Sequence, residues 1–250
     1  MAPRFKDQVV VVTGATSGIG RATAQAFAAE GALVIAGGRN QVRLGEVARE
    51  VALALTLDVT KAEQVAIFAA AVLDRFGGVD MLVNNAGVGL FQPWDLTTEA
   101  DLRRVMEVDF FGAVRVAGAF LPSLIERHGV LVQVASVAGR RGYPKHTAYS
   151  AAKHALIGWS EALRRDVPDV TVCVVCPPAV RTPFFENAGY LTFDVDHAGL
   201  VPMSAEAVAT GIVDAAHRRL PLAVLSRRAR VLDLLNRVSP GLLEKVQGLK

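Results

Sequence analysis

Cysteine is scarce in this sequence, with two residues among 250, and both lie in the apolar run VTVCVVC. Small secreted domains are usually rich in disulfide-bonded cysteines, so this class is excluded and a reducing cytoplasm is the expected compartment. Cys173 and Cys176 are three residues apart, so on a strand they point to opposite faces. This spacing favours two buried thiols over a redox Cys-x-x-Cys motif.

Aromatic residues and excess charge are also low, at 6% and a net charge of +3. A chain without stacking platforms is a poor candidate for nucleic-acid binding. The first residues lack the apolar stretch and cleavage site of a signal peptide, and no window holds 18 uncharged apolar residues. Much of the basic excess lies near residues 217–219 and 227–230, where a solvated surface is favoured over a site for acidic lipids or an acidic carrier protein.

Short apolar runs alternate with helical patterns along most of the chain. The runs predict strands at residues 8–13, 32–37, 51–57, 79–84, 130–136 and 170–176. Helices are predicted near residues 18–30, 42–50, 61–76, 100–128 and 148–167. This alternation predicts one α/β domain over residues 1–250, a doubly wound Rossmann-type parallel sheet with helices on both faces.

The regular alternation ends after Cys176, where prolines and glycines predict loops and short helices. We expect a substrate-loop region at about 178–205, because such sheets build substrate sites beyond the carboxyl ends of their strands. A C-terminal extension at about 226–250 is predicted to contain two short amphipathic helices within 230–248. Packing on the domain or on a dimer partner is the favoured role, with peripheral membrane or lipid-substrate contact as the alternative.

The segment from Thr13 to Gly20, TGATSGIG, joins the first strand to the first helix. Its glycines allow a tight turn and close approach of a pyrophosphate, and the helix N-terminus offers free N–H groups to phosphates. Because the turn follows a strand and opens a helix, it predicts dinucleotide binding.

The spacing of this turn resembles that of the classical short-chain dehydrogenase/reductase family. Further landmarks occur in the family's order: Asp58-Val59, the turn Asn84-Asn85-Ala86-Gly87, and Tyr149-Ser150-Ala151-Ala152-Lys153. The resemblance spans about residues 5–182. It implies that the cofactor contacts Gly14, Thr16, Ser17, Gly18, Ile19, Gly20, Arg39, Asp58, Val59, Asn85, Ala86, Gly87, Tyr149, Lys153, Pro177, Val180 and Thr182.

Cofactor choice depends on the end of the second strand, where Gly38 and Arg39 stand and no carboxylate follows until Glu46. An acidic side chain there would bind the ribose 2′-hydroxyl of NAD, whereas an arginine suits a 2′-phosphate. NADP(H) is therefore predicted as the preferred cofactor, with NAD(H) left open.

Tyr149 and Lys153 are four residues apart in a predicted helix and so share one face. An ammonium about 4 Å from a phenolate interacts by roughly 4 kcal/mol at an effective dielectric of 20, equivalent to about three pKa units. Desolvation offsets part of this, but Tyr149 is still expected to exchange a proton near neutral pH. The family's catalytic serine matches Ser136, which would hold the substrate oxygen. An oxidoreductase acting on an alcohol or carbonyl compound is the predicted function.

Two positions depart from the family pattern. Asp109 stands where the family usually has an asparagine, and is predicted to act as a counter-charge that alters a proton relay through Lys153. Pro177-Pro178 replaces the usual Pro-Gly, which stiffens the turn before Thr182 and removes an amide donor.

Aromatic and apolar side chains are expected to form a substrate wall for a largely apolar ketone or secondary alcohol. No metal site is predicted, and a homodimer or homotetramer is expected. The alternatives to a dehydrogenase are a non-catalytic NADP(H)-binding regulator and an isomerase or dehydratase on the same fold. The predicted wall comprises Phe91, Trp94, Tyr143, Phe184, Phe185, Tyr190, Leu191 and Phe193.

Overall fold

The computed structural model describes residues 3–184 and 202–239 of the chain. Seven strands in this part form one sheet, and every neighbouring pair is parallel. The strands are β1 (Val9–Thr13), β2 (Leu33–Gly38), β3 (Leu53–Thr56), β4 (Met81–Asn84), β5 (Val130–Val134), β6 (Thr171–Cys176) and β7 (Leu222–Val224).

Helices cover both faces of this sheet, as the sequence predicted. They are α1 (Gly18–Ala29), α2 (Gln41–Val47), α3 (Ala62–Phe76), α4 (Glu99–Met106), α5 (Ala113–Glu126), α6 (Thr147–Asp166), α7 (Ala205–His217) and α8 (Arg227–Val238). Side chains alternate between two cores along the strands: Val10 and Val12 pack towards Phe27 of α1 on one face, and Val11 packs towards Phe120 of α5 on the other. The predicted doubly wound Rossmann-type fold is confirmed.

The strand order is β3-β2-β1-β4-β5-β6-β7, so the chain changes direction across the sheet between β1 and β4. The connections after these two strands therefore leave on opposite sides and open a crevice at their carboxyl ends. Ligands of open α/β sheets bind at such a switch point. The fold thus brings together the loops that follow β1, β4 and β5.

The helix predicted near residues 100–128 is interrupted by a π-helical turn, Glu107–Gly112, between α4 and α5. The whole stretch Glu99–Glu126 is long and apolar enough, by length and composition alone, to cross a membrane. In the fold, however, Val116, Phe120 and Leu124 are fully buried in the core that α5 shares with α3. This packing accounts for the apolar character of the stretch.

The chain after Cys176 is more regular than the sequence predicted. Helix α7 has 13 residues, is N-capped by the Ser204 side chain, and buries Val208 and Ile212 against the sheet. Strand β7 then pairs with β6, and α8 begins at Arg227, three residues before the predicted helical region. Residues 185–201 of the predicted substrate loop and residues 240–250 of the predicted extension lie outside the described residues.

Both cysteines are buried free thiols, as predicted. Cys173 packs in the core beside α1 and α7, whereas Cys176 packs with Leu156 and Ile157 of α6 on the opposite face. Their spacing therefore reflects strand packing.

Candidate active site

A cavity of about 1000 Å³ opens at the carboxyl ends of the strands. Of the predicted catalytic and cofactor-binding residues, Asp109 alone lies outside its lining. The others line the cavity: Gly14, Thr16, Ser17, Gly18, Ile19, Gly20, Arg39, Asp58, Val59, Asn85, Ala86, Gly87, Ser136, Tyr149, Lys153, Pro177, Val180 and Thr182.

The turn between β1 and α1 is built around glycines that no larger residue could replace without strain. Gly14 and Gly18 have φ values of +65° and +51°, a region that L side chains rarely adopt. A Cβ on Gly20 would lie 2.2 Å from the carbonyl oxygen of Gly14. The side chain of Ser17, the N-cap of α1, makes no capping hydrogen bond. The first amides of α1 therefore suit an external anion, and the turn fits the pyrophosphate of a dinucleotide.

The turn after β4 is held against this glycine turn by Thr13. Its Oγ1 atom accepts hydrogen bonds from the amides of Asn85 and Ala86, each at 3.0 Å. The amide group of Asn85 donates to the Thr13 carbonyl oxygen, also at 3.0 Å. The two loops at the switch point thus form one connected surface.

The end of β2 presents two arginines to the cavity. Gly38 is buried against Thr16, where a Cβ would lie 2.5 Å from its methyl carbon. Arg39 and Arg43 follow, both exposed and both in the lining, with the Asn40 side chain accepting a hydrogen bond from the Arg43 amide at 3.0 Å. This bond caps α2 and fixes the first turn that carries Arg43.

Asp58 lies on the adjacent loop and remains a carboxylate. Burial opposes its ionisation, whereas hydrogen bonds from the Thr60 amide and hydroxyl, at 3.0 and 2.8 Å, favour it. The charges of Arg39 and Lys61 add to this effect, so the pKa of Asp58 lies below its ordinary value.

The remaining site residues come from the end of β5 and the start of α6. Ser136 caps the short 3₁₀ helix Val137–Gly139, its Oγ accepting from the Ala138 amide at 3.1 Å. Tyr149 and Lys153 lie one helical turn apart on α6, with the Lys153 Nζ atom 5.6 Å from the centroid of the Tyr149 ring. The Nζ atom also donates to the Val134 carbonyl oxygen at 3.2 Å. A phenol, a hydroxyl and an ammonium thus meet where β5 ends.

Lys153 lowers the pKa of Tyr149, as expected, but the expected net downward shift is not found. Burial raises the pKa of Tyr149, and the charge of Asp109 raises it further. The charge of Lys153 and a hydrogen bond with Ser136 oppose these effects without cancelling them. The net shift of the Tyr149 pKa is upward.

Asp109 lies behind Lys153 in the π-helical turn and is 1% exposed. Its Oδ1 atom accepts a hydrogen bond from the Val88 amide at 2.7 Å, and its Oδ2 atom forms an ion pair with the Lys153 Nζ atom at 3.1 Å. Burial lowers the pKa of Lys153, but Asp109, with smaller contributions from Tyr149 and Cys176, opposes burial, and the net shift is upward. Burial raises the pKa of Asp109 itself, opposed by the charge of Lys153.

Three of the predicted wall residues meet beside the phenol. The Phe91 and Phe184 rings lie 5.6 and 5.9 Å from the Tyr149 ring, centroid to centroid, and Tyr143 also lines the cavity. The prediction for Trp94 is wrong: it lies on the 3₁₀ helix Trp94–Leu96, is 66% exposed and does not line the cavity. The other predicted wall residues, Phe185, Tyr190, Leu191 and Phe193, lie outside the described residues.

The family profile described as short chain dehydrogenase matches residues 8–190. The chain belongs to this family. It is an NAD(P)-dependent oxidoreductase with the family's parallel sheet.

Two relatives and two solved structures illustrate the range of the family. The mouse "Dehydrogenase/reductase SDR family member 7B" is 36% identical over 86% of the chain and 72% of that protein. A "3-ketodihydrosphingosine reductase" of Bacteroides thetaiotaomicron is 34% identical over 73% of the chain and 68% of that protein. An alcohol dehydrogenase from Thermococcus sibiricus complexed with 5-hydroxy-NADP is 31% identical, with a TM-score of 0.77 over 88% of this chain and 94% of that one. A short chain dehydrogenase from Burkholderia phymatum in complex with NAD is 26% identical, with a TM-score of 0.87 over 96% of both chains.

Sequence reasoning missed several residues that line the cavity of this short chain dehydrogenase. The local sequence could have identified Arg43. Asn40 is a typical N-cap residue, which places Arg43 in the first turn of α2, four residues after Arg39. Arg228 and Leu232 of α8 had none, since their place depends on a distant ion pair between Arg140 and Asp233. In the described residues, no group of three His, Cys, Asp or Glu side chains is arranged to hold a metal ion.

Proposed function

We propose that this chain interconverts a largely apolar ketone and its secondary alcohol with NADP(H), using Tyr149 as proton donor and acceptor. One observation carries the proposal: Tyr149, Ser136 and Lys153 line the same cavity as the glycine turn, and an aromatic wall packs beside Tyr149. Such a position lets a carbonyl group meet the phenol and the nicotinamide at once.

Each of the three residues has its own role in the proposed reaction. When bound, the nicotinamide supplies or accepts the hydride. Ser136 donates a hydrogen bond to the substrate oxygen, and Tyr149 gives that oxygen a proton during reduction or removes it during oxidation. The ammonium of Lys153 stabilises the phenolate that remains after proton donation.

The NADP(H) preference rests on Arg39 and Arg43. Both line the cavity next to Gly38, where a 2′-phosphate would carry its charge to two guanidinium groups. The two solved relatives described above hold an NADP derivative and NAD, so family membership alone leaves the choice open.

The apolar substrate class rests on the wall made by Phe91, Tyr143 and Phe184. The Phe91 and Phe184 rings pack against the Tyr149 ring, so this side of the cavity favours a hydrocarbon. The relative named as a 3-ketodihydrosphingosine reductase carries a lipid ketone in its name, which supports a lipid-like or alicyclic substrate.

Self-association and a cytoplasmic location complete the proposal. The exposed face of α4 and the π-helical turn forms a second hollow lined by Leu102, Met106 and Phe111, with Phe111 48% exposed. A second copy of the chain would cover these apolar side chains in a homodimer or homotetramer. Light scattering on the purified protein tests this part.

The test of function is a screen of apolar ketones and secondary alcohols with each pyridine nucleotide, following the absorbance of the reduced nicotinamide. The proposal expects turnover with NADP(H) and a preference for apolar compounds. Nucleotide binding without turnover of any compound would favour a non-catalytic regulator instead. Substrate conversion without net change in NADPH would favour an isomerase or dehydratase.

A further inference from the structure

Both oxygen atoms of Asp109 have close partners inside the protein, one through a hydrogen bond and the other through an ion pair. The Val88 amide donates to Oδ1 at 2.7 Å, and the Lys153 ammonium contacts Oδ2 at 3.1 Å. The loop before Val88 packs on the same group, because a Cβ on Gly87 would lie 3.2 Å from Oδ2. The carboxylate therefore joins the turn after β4 to the lysine of α6.

An amide could not make both contacts. Asparagine has one acceptor oxygen and one donor nitrogen, so if its oxygen accepted from the Val88 amide, its NH₂ group would face the Lys153 ammonium. Two donors in contact repel each other, so the attractive contact with Lys153 would be lost. The contacts thus fit a carboxylate at position 109.

The charge at position 109 reaches the phenol through Lys153. Lys153 is 4% exposed and Asp109 is 1% exposed, so little solvent screens either charge. A lone ammonium beside Tyr149 would stabilise the phenolate, but the charge of Asp109 opposes that effect. The pair Asp109–Lys153 carries no net charge.

We propose that Asp109 is a positioning residue that acts through Lys153 to keep the Tyr149 phenol protonated well beyond neutral pH. This rests on the proposed function, in which Tyr149 is the proton donor. During reduction the Tyr149 O–H bond breaks and a new O–H bond forms on the substrate oxygen, while the carbonyl carbon accepts a hydride from the reduced nicotinamide. Oxidation of the alcohol needs the phenolate, so its activity is displaced to alkaline pH.

The groups around the phenol act on its pKa in both directions, and the net shift is upward. Burial, the Cys176 thiol of β6 and Asp109 raise the pKa of Tyr149, whereas Lys153 and the Ser136 hydroxyl lower it. The charge of Arg104, on α4, lowers the pKa of Asp109.

The first test compares the parent with Asp109→Asn in both reaction directions over a range of pH. The rise of alcohol oxidation and the fall of ketone reduction should both move to lower pH, by about 1 unit or more for the loss of a charge this close. Asp74→Asn is the matched control, since Asp74 is exposed on α3 and outside the cavity lining. Its profile should equal that of the parent. A lower rate in Asp109→Asn with both limbs unmoved would overturn the proposal.

The second test needs neither cofactor nor a folded Asp109 variant. The chain has three tyrosines, so subtracting the phenolate absorbance of Tyr149→Phe from that of the parent isolates the titration of Tyr149. Phenolate should appear above the ordinary tyrosine pKa of 10.0. Phenolate near neutral pH would refute the inference. This titration tests the inference even if the parent turns over no substrate. Absence of turnover would refute the proposed function but not the inference about Asp109.

Discussion

The Arg140 guanidinium forms a two-point ion pair with the Asp233 carboxylate across 93 residues of chain, at 2.9 Å for Nε–Oδ1 and 3.2 Å for Nη2–Oδ2. The two side chains are only 11% and 14% exposed. Arg140 ends the 3₁₀ turn that begins at Ser136, and the Asn236 side chain also donates to its carbonyl oxygen at 3.3 Å. The contact anchors α8 beside the loop that carries Ser136 and places Leu232 at the cavity.

Loss of this anchor should weaken substrate binding more than nucleotide binding. Asp233→Asn leaves the Arg140 charge without its carboxylate partner, so α8 should shift away from the cavity. We expect KM for an apolar ketone to rise roughly tenfold, equivalent to about 1.4 kcal/mol, with little change in the Kd of NADPH. Steady-state kinetics and nucleotide titration measure both quantities.

Arg237→Gln is the control for that variant. Arg237 contacts the same Asp233 at 3.5 Å but is 52% exposed. Exposed ion pairs contribute little, so its KM should stay close to that of the parent. An unchanged KM in Asp233→Asn would show that α8 has no part in substrate binding.

Nucleotide choice should depend on Arg39. Arg39→Gln removes one charged hydrogen-bond donor to a 2′-phosphate, a contact worth about 1.5–3 kcal/mol. The Kd of NADPH should therefore rise by about tenfold to a hundredfold, whereas the Kd of NADH should not change. Fluorescence titration with both nucleotides measures the difference.

Arg49→Gln tests whether loss of any arginine in this region would raise the Kd of NADPH. Arg49 is exposed two residues after α2 and does not line the cavity. Its loss should leave both Kd values as they are. Equal weakening of NADPH and NADH in Arg39→Gln would contradict recognition of the 2′-phosphate.

The protein should lose stability at alkaline pH because of its two buried thiols. Burial raises the pKa of Cys173 to about 11 and that of Cys176 to about 12, against an ordinary value of 9.0. Above pH 9 the unfolded chain releases these protons and the folded chain keeps them. The stabilisation is therefore complete below pH 9 and is lost as the pH rises towards 11 and 12, by about 1.4 kcal/mol per pH unit for each thiol.

Denaturant unfolding under reducing conditions at several pH values measures this effect. Cys173→Ala and Cys176→Ala should each be less stable than the parent at pH 7 but show a shallower decline above pH 9. Parallel curves for parent and variants would assign the alkaline decline to other groups.

The fold as far as Cys176 and the glycine turn that suits a nucleotide could both be predicted from the sequence. Continuous valine runs mark strands buried on both faces, and the glycines between Thr13 and Gly20 carry a local backbone requirement. Both signals lie within a few neighbouring residues, so they can be recognised without the tertiary structure.

The parts that sequence reasoning missed depend on contacts between distant segments. Nothing near Asp233 indicates Arg140 as its partner, and nothing near Trp94 indicates that its ring lies outside the cavity while Phe91 lies inside. The raised pKa of Tyr149 was missed because burial and Asp109 together outweigh the neighbouring lysine. The four-residue spacing predicts that Lys153 lies beside Tyr149, but it does not predict how deeply the phenol is buried.

The most direct test of the account is ketone reduction by Tyr149→Phe, measured together with its affinity for NADPH. Removal of a general acid typically costs 10²–10⁴-fold in rate, so we expect a loss of at least about a hundredfold in kcat with the Kd of NADPH unchanged. Tyr143→Phe, the same chemical change at the aromatic wall, should affect KM and leave kcat far less changed. Turnover by Tyr149→Phe equal to that of the parent would contradict the assignment of Tyr149 as the proton donor.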